Sequence, residues 1–147
     1  MKIPEIRKVS WFAVVLFFIL IDQFTKWLAV HWNWSIFLNH QFAFSLPVPG
    51  VVMAIIYILV LVGIAIYIIW TWHRFSRMQK LAWAFVCAGG LSNIGERIVL
   101  SHVRDFIPIA NGMLNVADLF IIFGLILLLV SQRYSDHSTT TDRSENF

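Results

Sequence analysis

The chain carries one cysteine, Cys87, in 147 residues, which excludes an internal disulfide and any multi-cysteine metal site. Set in an apolar run, it reads as a small core residue, the way a free thiol packs. Charge is scarce too. Asp, Glu, Lys and Arg make up 13% of the residues against 59% hydrophobic, and the mean hydropathy is +0.77. Ordinary soluble domains carry about 25% charged residues, so this is the composition of an integral membrane protein. The net charge of +3 is small and the basic residues are spread along the chain, which leaves no footprint for a nucleic acid. There is no His-Glu-x-x-His motif, the five histidines are scattered, and no serine stands in a nucleophile elbow.

What is present is a set of long apolar runs. Trp11 to Val30 is long enough to cross about 30 Å of hydrocarbon at about 1.5 Å per residue. Lys2, Arg7 and Lys8 precede it. The run is too long for a signal peptide, holds Asp22 and Lys26, and lacks a small-residue cleavage site, so it reads as an uncleaved anchor. Val51 to Trp70 contains no charge and reads as lipid-facing scaffold; Leu81 to Leu100 and Asn115 to Val130 complete four spans. His73, Arg74, Arg77 and Lys80 follow the second span, and with the basic N-terminus they put both ends of the chain on the cytoplasmic side. His73 then reads as a headgroup contact. Residues 1–131 form one transmembrane domain, and 132–147 a polar, disordered cytoplasmic tail.

The loops after the first and third spans have a different rhythm. Trp32 and Trp34 suit a membrane interface, and Phe37 to Leu46 alternates with a period of two before Pro47, Pro49 and Gly50 end it. Val103, Asp105 and Ile107 alternate in the same way. The fold class expected is an all-α membrane protein of four transmembrane helices, with a small extracytoplasmic β-like platform made by these two loops.

Polar residues in and beside such spans carry the information, because a charge at membrane depth costs about 2.5–3.5 kcal/mol on insertion scales. Asp22 and Lys26 stand i, i+4, fit either for a membrane-edge ion pair with Lys26 snorkelling to headgroups or for bracing an interior site. Gly89 and Gly90 permit close helix approach, while Ser92, Asn93, Glu96 and Arg97 make a polar stripe near the outer end of the third span. A structural network of Glu96 with Arg97 would account for part of it. Asn115 can cap the fourth helix with Asp118 at its third position, where free N–H groups favour a carboxylate. Capping explains neither Asp105 nor the convergence of the stripe on the same membrane face. Asn39, His40 and Gln41 read equally well as ordinary loop polars.

Two carboxylates without a histidine or cysteine cluster point to acid/base work on water. One ionised Asp takes the water proton and a protonated partner polarises the scissile carbonyl. Close carboxylates cannot easily both ionise, which divides the roles. A metal held by these groups would be under-liganded.

Five segments, in order, resemble the motifs of the lipoprotein signal peptidases, or signal peptidase II. They are Asp22-Gln23-Phe24-Thr25-Lys26, Asn39 to Ser45, Gly89 to Arg97, Val103 to Ile107, and Asn115-Val116-Ala117-Asp118. The resemblance implies an intramembrane aspartic endopeptidase of the bacterial inner membrane. It would remove signal peptides from prolipoproteins by cutting on the amino side of a diacylglyceryl-modified cysteine. Asp105 and Asp118 match the catalytic pair; Asp22, Lys26, Asn39, Asn93, Arg97 and Asn115 match residues that line or brace it. Glu96 joins them, in a position where an aspartate is usual. Gln41 and Phe42 replace the family's glycine and alanine, the segment from Asp105 to Asn115 is short, and Leu119-Phe120 follow the last Asp. No cofactor and no metal are implied; the partners expected are the lipidated signal peptide and membrane lipid, with the protein a monomer. An inactive relative that binds lipidated signal peptides, and a four-helix proton-coupled transporter using Asp22 or Asp118, remain open on the sequence.

Overall fold

The computed structural model describes residues 8–40, 50–110 and 112–144. These form four α-helices: α1 (Lys8–His31), α2 (Gly50–Thr71), α3 (Arg77–Leu100) and α4 (Val116–Ser144). Short strands lie between them: β1 (Phe37–Asn39), β2 (Val103–Asp105), β3 (Ile107–Ile109) and β4 (Gly112–Leu114). The Ile/Val-rich α2 would have strand propensity in water. In hydrocarbon each backbone N–H and C=O must be satisfied within the segment, and the helix does that.

The surface is inverted relative to a soluble protein. Ile66, Ile69 and Trp70 on α2 and Phe12, Leu16 and Phe17 on α1 face outward, while Asp22, Lys26 and Asn115 are fully buried. Apolar exposure on this scale identifies a lipid-contacting surface. Ser10–His31 and Ile55–Arg74 are long and apolar enough to cross a membrane, and Val116–Gln132 is a shorter apolar helix. The polar stripe keeps α3 below that standard.

α3 is the central helix, packed most extensively on α4 and next on α1. Its start lies at Arg77, not at Leu81, because Ser76 and Gln79 form a reciprocal capping box: Gln79 N–H donates to Ser76 Oγ at 3.2 Å and Ser76 N–H to Gln79 Oε1 at 2.9 Å. Near this end Trp11 donates its indole N–H to Lys80 O at 2.6 Å and meets Trp72 edge-on, within an apolar cluster of Trp11, Val15, Ile68, Trp72, Ala84 and Ala88. At the opposite end Ser101 takes a left-handed conformation, φ 63°, and turns the chain into β2.

Glycine sets the α3–α4 distance. A Cβ on Gly89 would collide with Ala117 O, and one on Gly124 would come within 2.7 Å of Ala82 O. Gly90 makes no such demand, since a Cβ there would meet Leu61 at an ordinary 3.5 Å.

β1 and β2 pair antiparallel with Phe37 opposite Asp105 and Asn39 opposite Val103; β3 and β4 form a second antiparallel pair. The single strand expected through Val103, Asp105 and Ile107 is therefore broken at Phe106, whose N–H donates to Leu114 O at 2.9 Å and starts the hairpin. The part of the expected first-loop strand beyond His40, with Gln41 and Phe42, lies outside the described residues. The tail expected to be disordered also differs. Helical backbone continues through 132–144, since extending a helix costs far less than starting one.

Candidate active site

The site is assembled at the N-terminus of α4. Asn115 Oδ1 accepts from Asp118 N–H at 3.0 Å and Asp118 Oδ2 accepts from Asn115 N–H at 3.1 Å, a capping box closed from both sides. Asp22 on α1 reaches across to accept from Ala117 N–H at 2.8 Å. Two free N–H groups of the first turn of α4 are thus held by oxygens, and the contact of Gly89 with Ala117 fixes the helix start against α3.

The second carboxylate arrives from β2. Asp105 is buried, with Oδ2 accepting from Asn39 Nδ2 at 2.9 Å and Oδ1 from Asn115 Nδ2 at 2.6 Å. Asn39 and Asp105 are diagonal neighbours on one face of the β1–β2 pair, which is why a loop residue 66 positions away supplies that donor. Asp118 Oδ1 accepts from Asn93 Nδ2 at 2.8 Å. Each of the four carboxylate oxygens therefore holds a donor, and Asn115 serves both aspartates, its side chain on Asp105 and its backbone on Asp118.

Behind this pair lies a buried ionic network. Lys26 Nζ is 2.8 Å from Asp22 Oδ2 and 3.0 Å from Glu96 Oε2, and donates to Asn93 Oδ1 at 3.0 Å. Ser92 Oγ donates to Asp22 Oδ2 at 2.7 Å, and Gln23 Nε2 to Ser92 Oγ at 2.9 Å. Glu96 also receives Arg104, at 2.6 Å from Nε and 2.5 Å from Nη2. Removing charges from water is costly, and a buried pair is tolerated only where further hydrogen bonds complete it. Here they are complete, and Lys26 fixes the Asn93 amide so that its N–H faces Asp118.

Of the sequence-predicted residues, Asp22, Lys26, Asn39, Asn93, Glu96, Arg97, Asp105, Asn115 and Asp118 all gather in this region. Two of the readings change. Lys26 does not snorkel; it is fully buried, since its ammonium has three protein partners in the interior. Glu96 is engaged by Lys26 and Arg104, while the Arg97 guanidinium stands 5.7 Å from the Tyr57 ring. Gln23 and Arg104 join the network in addition to the residues expected. Gln23 stands beside Asp22, a usable hint; Arg104 reaches Glu96 only through the α3–β2 turn, which no fixed spacing encodes.

Both aspartates, Asn39, Asn93 and Arg97 line a cavity of about 520 Å³, whose opposite wall is Tyr57, Val60, Leu61 and Ile64 of α2. The arrangement offers two carboxylates held by one asparagine, through its side chain and its backbone N–H, at the edge of an apolar trough. Such a site can activate water beside an extended apolar substrate.

A family model described as Signal peptidase (SPase) II matches residues 14–133. The chain is 26% identical over 148 residues to the lipoprotein signal peptidase of Listeria monocytogenes serotype 4a (strain HCC23), covering 88% of this chain and 96% of that one. It is 29% identical over 142 residues to the lipoprotein signal peptidase of Acinetobacter baumannii (strain SDF), covering 82% and 81%. Its fold is similar to two bacterial membrane enzymes solved by the in meso method. One has a TM-score of 0.73 at 19% identity, over 85% of this chain and 93% of that one. The other has a TM-score of 0.71 at 16% identity, over 88% and 90%.

Proposed function

The chain belongs to the signal peptidase II family, and from that premise we propose that it is an intramembrane aspartic endopeptidase. It removes signal peptides from bacterial prolipoproteins, cutting on the amino side of a diacylglyceryl-modified cysteine. Asp105 and Asp118 are the catalytic pair. The observation that carries this reading is the Asn115 bracket, with its side chain on Asp105 Oδ1 at 2.6 Å and its backbone N–H on Asp118 Oδ2 at 3.1 Å. One residue thus holds an oxygen of each carboxylate, and both carboxylates line the same cavity.

One aspartate, ionised, takes a proton from that water as it attacks the scissile carbonyl; the other, protonated, donates to the carbonyl oxygen. In this mechanism the pair carries one proton, so that one carboxylate serves as base and the other as acid. Asn39 and Asn93 hold the outer oxygens, so neither carboxylate must reorganise as charge develops. The apolar wall of α2 receives the hydrophobic signal segment and its lipid. The four helices span the inner membrane with both termini cytoplasmic. His73, Arg74 and Arg77 stand at one end of the bundle, and the aspartates at the other, extracytoplasmic end, under the platform of β1–β4. The working unit is a monomer, with membrane lipid as its surroundings.

The test is cleavage of a diacylglycerylated prolipoprotein by the purified protein. Asp105→Asn and Asp118→Asn should each abolish it in protein that remains folded; retained cleavage by either variant overturns the dyad. Binding of the precursor by wild type with no peptide released transfers the reading to an inactive relative.

A further inference from the structure

Glu96 grips two parts of the site at once. Its Oε2 takes the Lys26 ammonium at 3.0 Å and the backbone N–H of Arg104 at 3.1 Å, while Oε1 takes Arg104 Nε at 2.6 Å. Arg104 Nη2 also donates to Gln23 Oε1 on α1 at 3.2 Å. The residue held in this way immediately precedes Asp105. Its side chain lies on the opposite face of β2 from the Asp105 carboxylate, because successive strand residues alternate, and its cross-strand neighbour is Leu38, not Asn39. Arg104 thus acts on the site through the backbone and through Glu96.

Charge balance points the same way. Within this network the buried Asp22 and Glu96 carry two negative charges, and the buried Lys26 and the partly exposed Arg104 carry two positive ones. Without Arg104, Glu96 and Asp22 would share the single Lys26 ammonium. The length of Glu96 matters as well: a side chain one methylene shorter would be drawn away from either Lys26 or β2.

We propose that Arg104 is a positioning residue of the peptidase site. By clamping β2 to α3 through Glu96 and to α1 through Gln23, it sets where the Asp105 carboxylate stands relative to Asp118. This rests on the peptidase reading above, and the longer carboxylate at position 96 and the arginine at 104 work as one unit.

Full-length Arg104→Gln and Arg104→Lys test it, assayed beside wild type in phospholipid–detergent micelles with a diacylglycerylated prolipoprotein. Arg104→Gln should lower kcat about 10- to 100-fold, the scale of a misplaced catalytic group, with KM within about twofold. Arg104→Lys restores the charge but not the planar fork and should recover to within about fivefold of wild type. Hydrogen exchange at the backbone amides of 103–106 should be faster in Arg104→Gln than in wild type. Full kcat in Arg104→Gln, a rise in KM alone, or no recovery with lysine would each overturn the positioning role. If wild type releases no peptide, the peptidase reading falls and takes the catalytic role with it. Exchange then still judges the clamp, and unchanged rates in Arg104→Gln would remove it.

Discussion

Asn115 donates its side-chain amide to Asp105 at 2.6 Å from the cap position of the helix that carries Asp118. The side chain that ends the β3–β4 hairpin therefore also measures the gap between the two carboxylates. Capping uses its Oδ1 and bracketing uses its Nδ2, so the two roles can be separated by substitution.

Asn115→Ser makes that separation. Serine caps about as well as asparagine but is too short to reach Asp105, so thermal unfolding in detergent should stay near wild type. Prolipoprotein cleavage should fall at least about tenfold, as expected when a group is left about 1 Å out of place. Asn115→Ala removes both roles, and it should add about 1 kcal/mol of destabilisation to the same loss of activity.

Lys26→Met leaves Asp22 and Glu96 facing one another inside the protein. Removing one partner from a buried ion pair typically costs about 3–5 kcal/mol, and the unfolding midpoint should drop accordingly. Adding Asp22→Asn removes one orphaned charge while keeping an oxygen for Ala117 N–H, so the double variant should be more stable than Lys26→Met alone. A double variant that is less stable would show that the charge of Asp22 stabilises α4 independently of Lys26.

These contacts mark what could be read from the sequence. Asp22 and Lys26, and Asn115 and Asp118, are related by helical spacing or by a cap, and those regularities are local enough to see in a linear chain. The polar stripe of Asn93, Glu96 and Arg97 stood out because polar groups in an apolar span need partners. The partners themselves were not visible. Glu96 finds Arg104 because α3 ends in a left-handed turn at Ser101, and Asn39 finds Asp105 because the register of β1 on β2 makes them diagonal neighbours. Those depend on backbone geometry that residue types alone do not specify. The fate of Lys26 also turned on packing: a lysine stem near a membrane edge can reach outward or inward, and three interior acceptors decided it.

Gly89→Ala tests the helix approach behind Asp118. Its Cβ would meet the backbone carbonyl of Ala117, so α4 must shift, and the shift moves the residue next to Asp118. Stability should fall by about 1–3 kcal/mol, as for an overpacked core, and cleavage should fall with it. Gly63→Ala on α2 is the matched control, since open space surrounds that position. Its unfolding midpoint and cleavage rate should remain at wild-type levels.

The Asn93 amide is pinned at both ends, with Oδ1 on Lys26 and Nδ2 on Asp118. Asn93→Asp keeps the shape and the lysine contact but turns the donor facing Asp118 into an acceptor, placing a like charge where a hydrogen bond was. At neutral pH cleavage should fall about 100-fold or more while the protein stays folded, because a carboxylate pair now occupies the edge of the site. Once protonated, the introduced carboxyl group regains a donor. The variant should therefore recover part of its activity as pH is lowered through the range in which that group takes up its proton, relative to wild type at the same pH. Asn93→Ala has no group to protonate and should show no such recovery. A parallel pH response in the two variants would mean that Asn93 contributes volume and not a directed hydrogen bond.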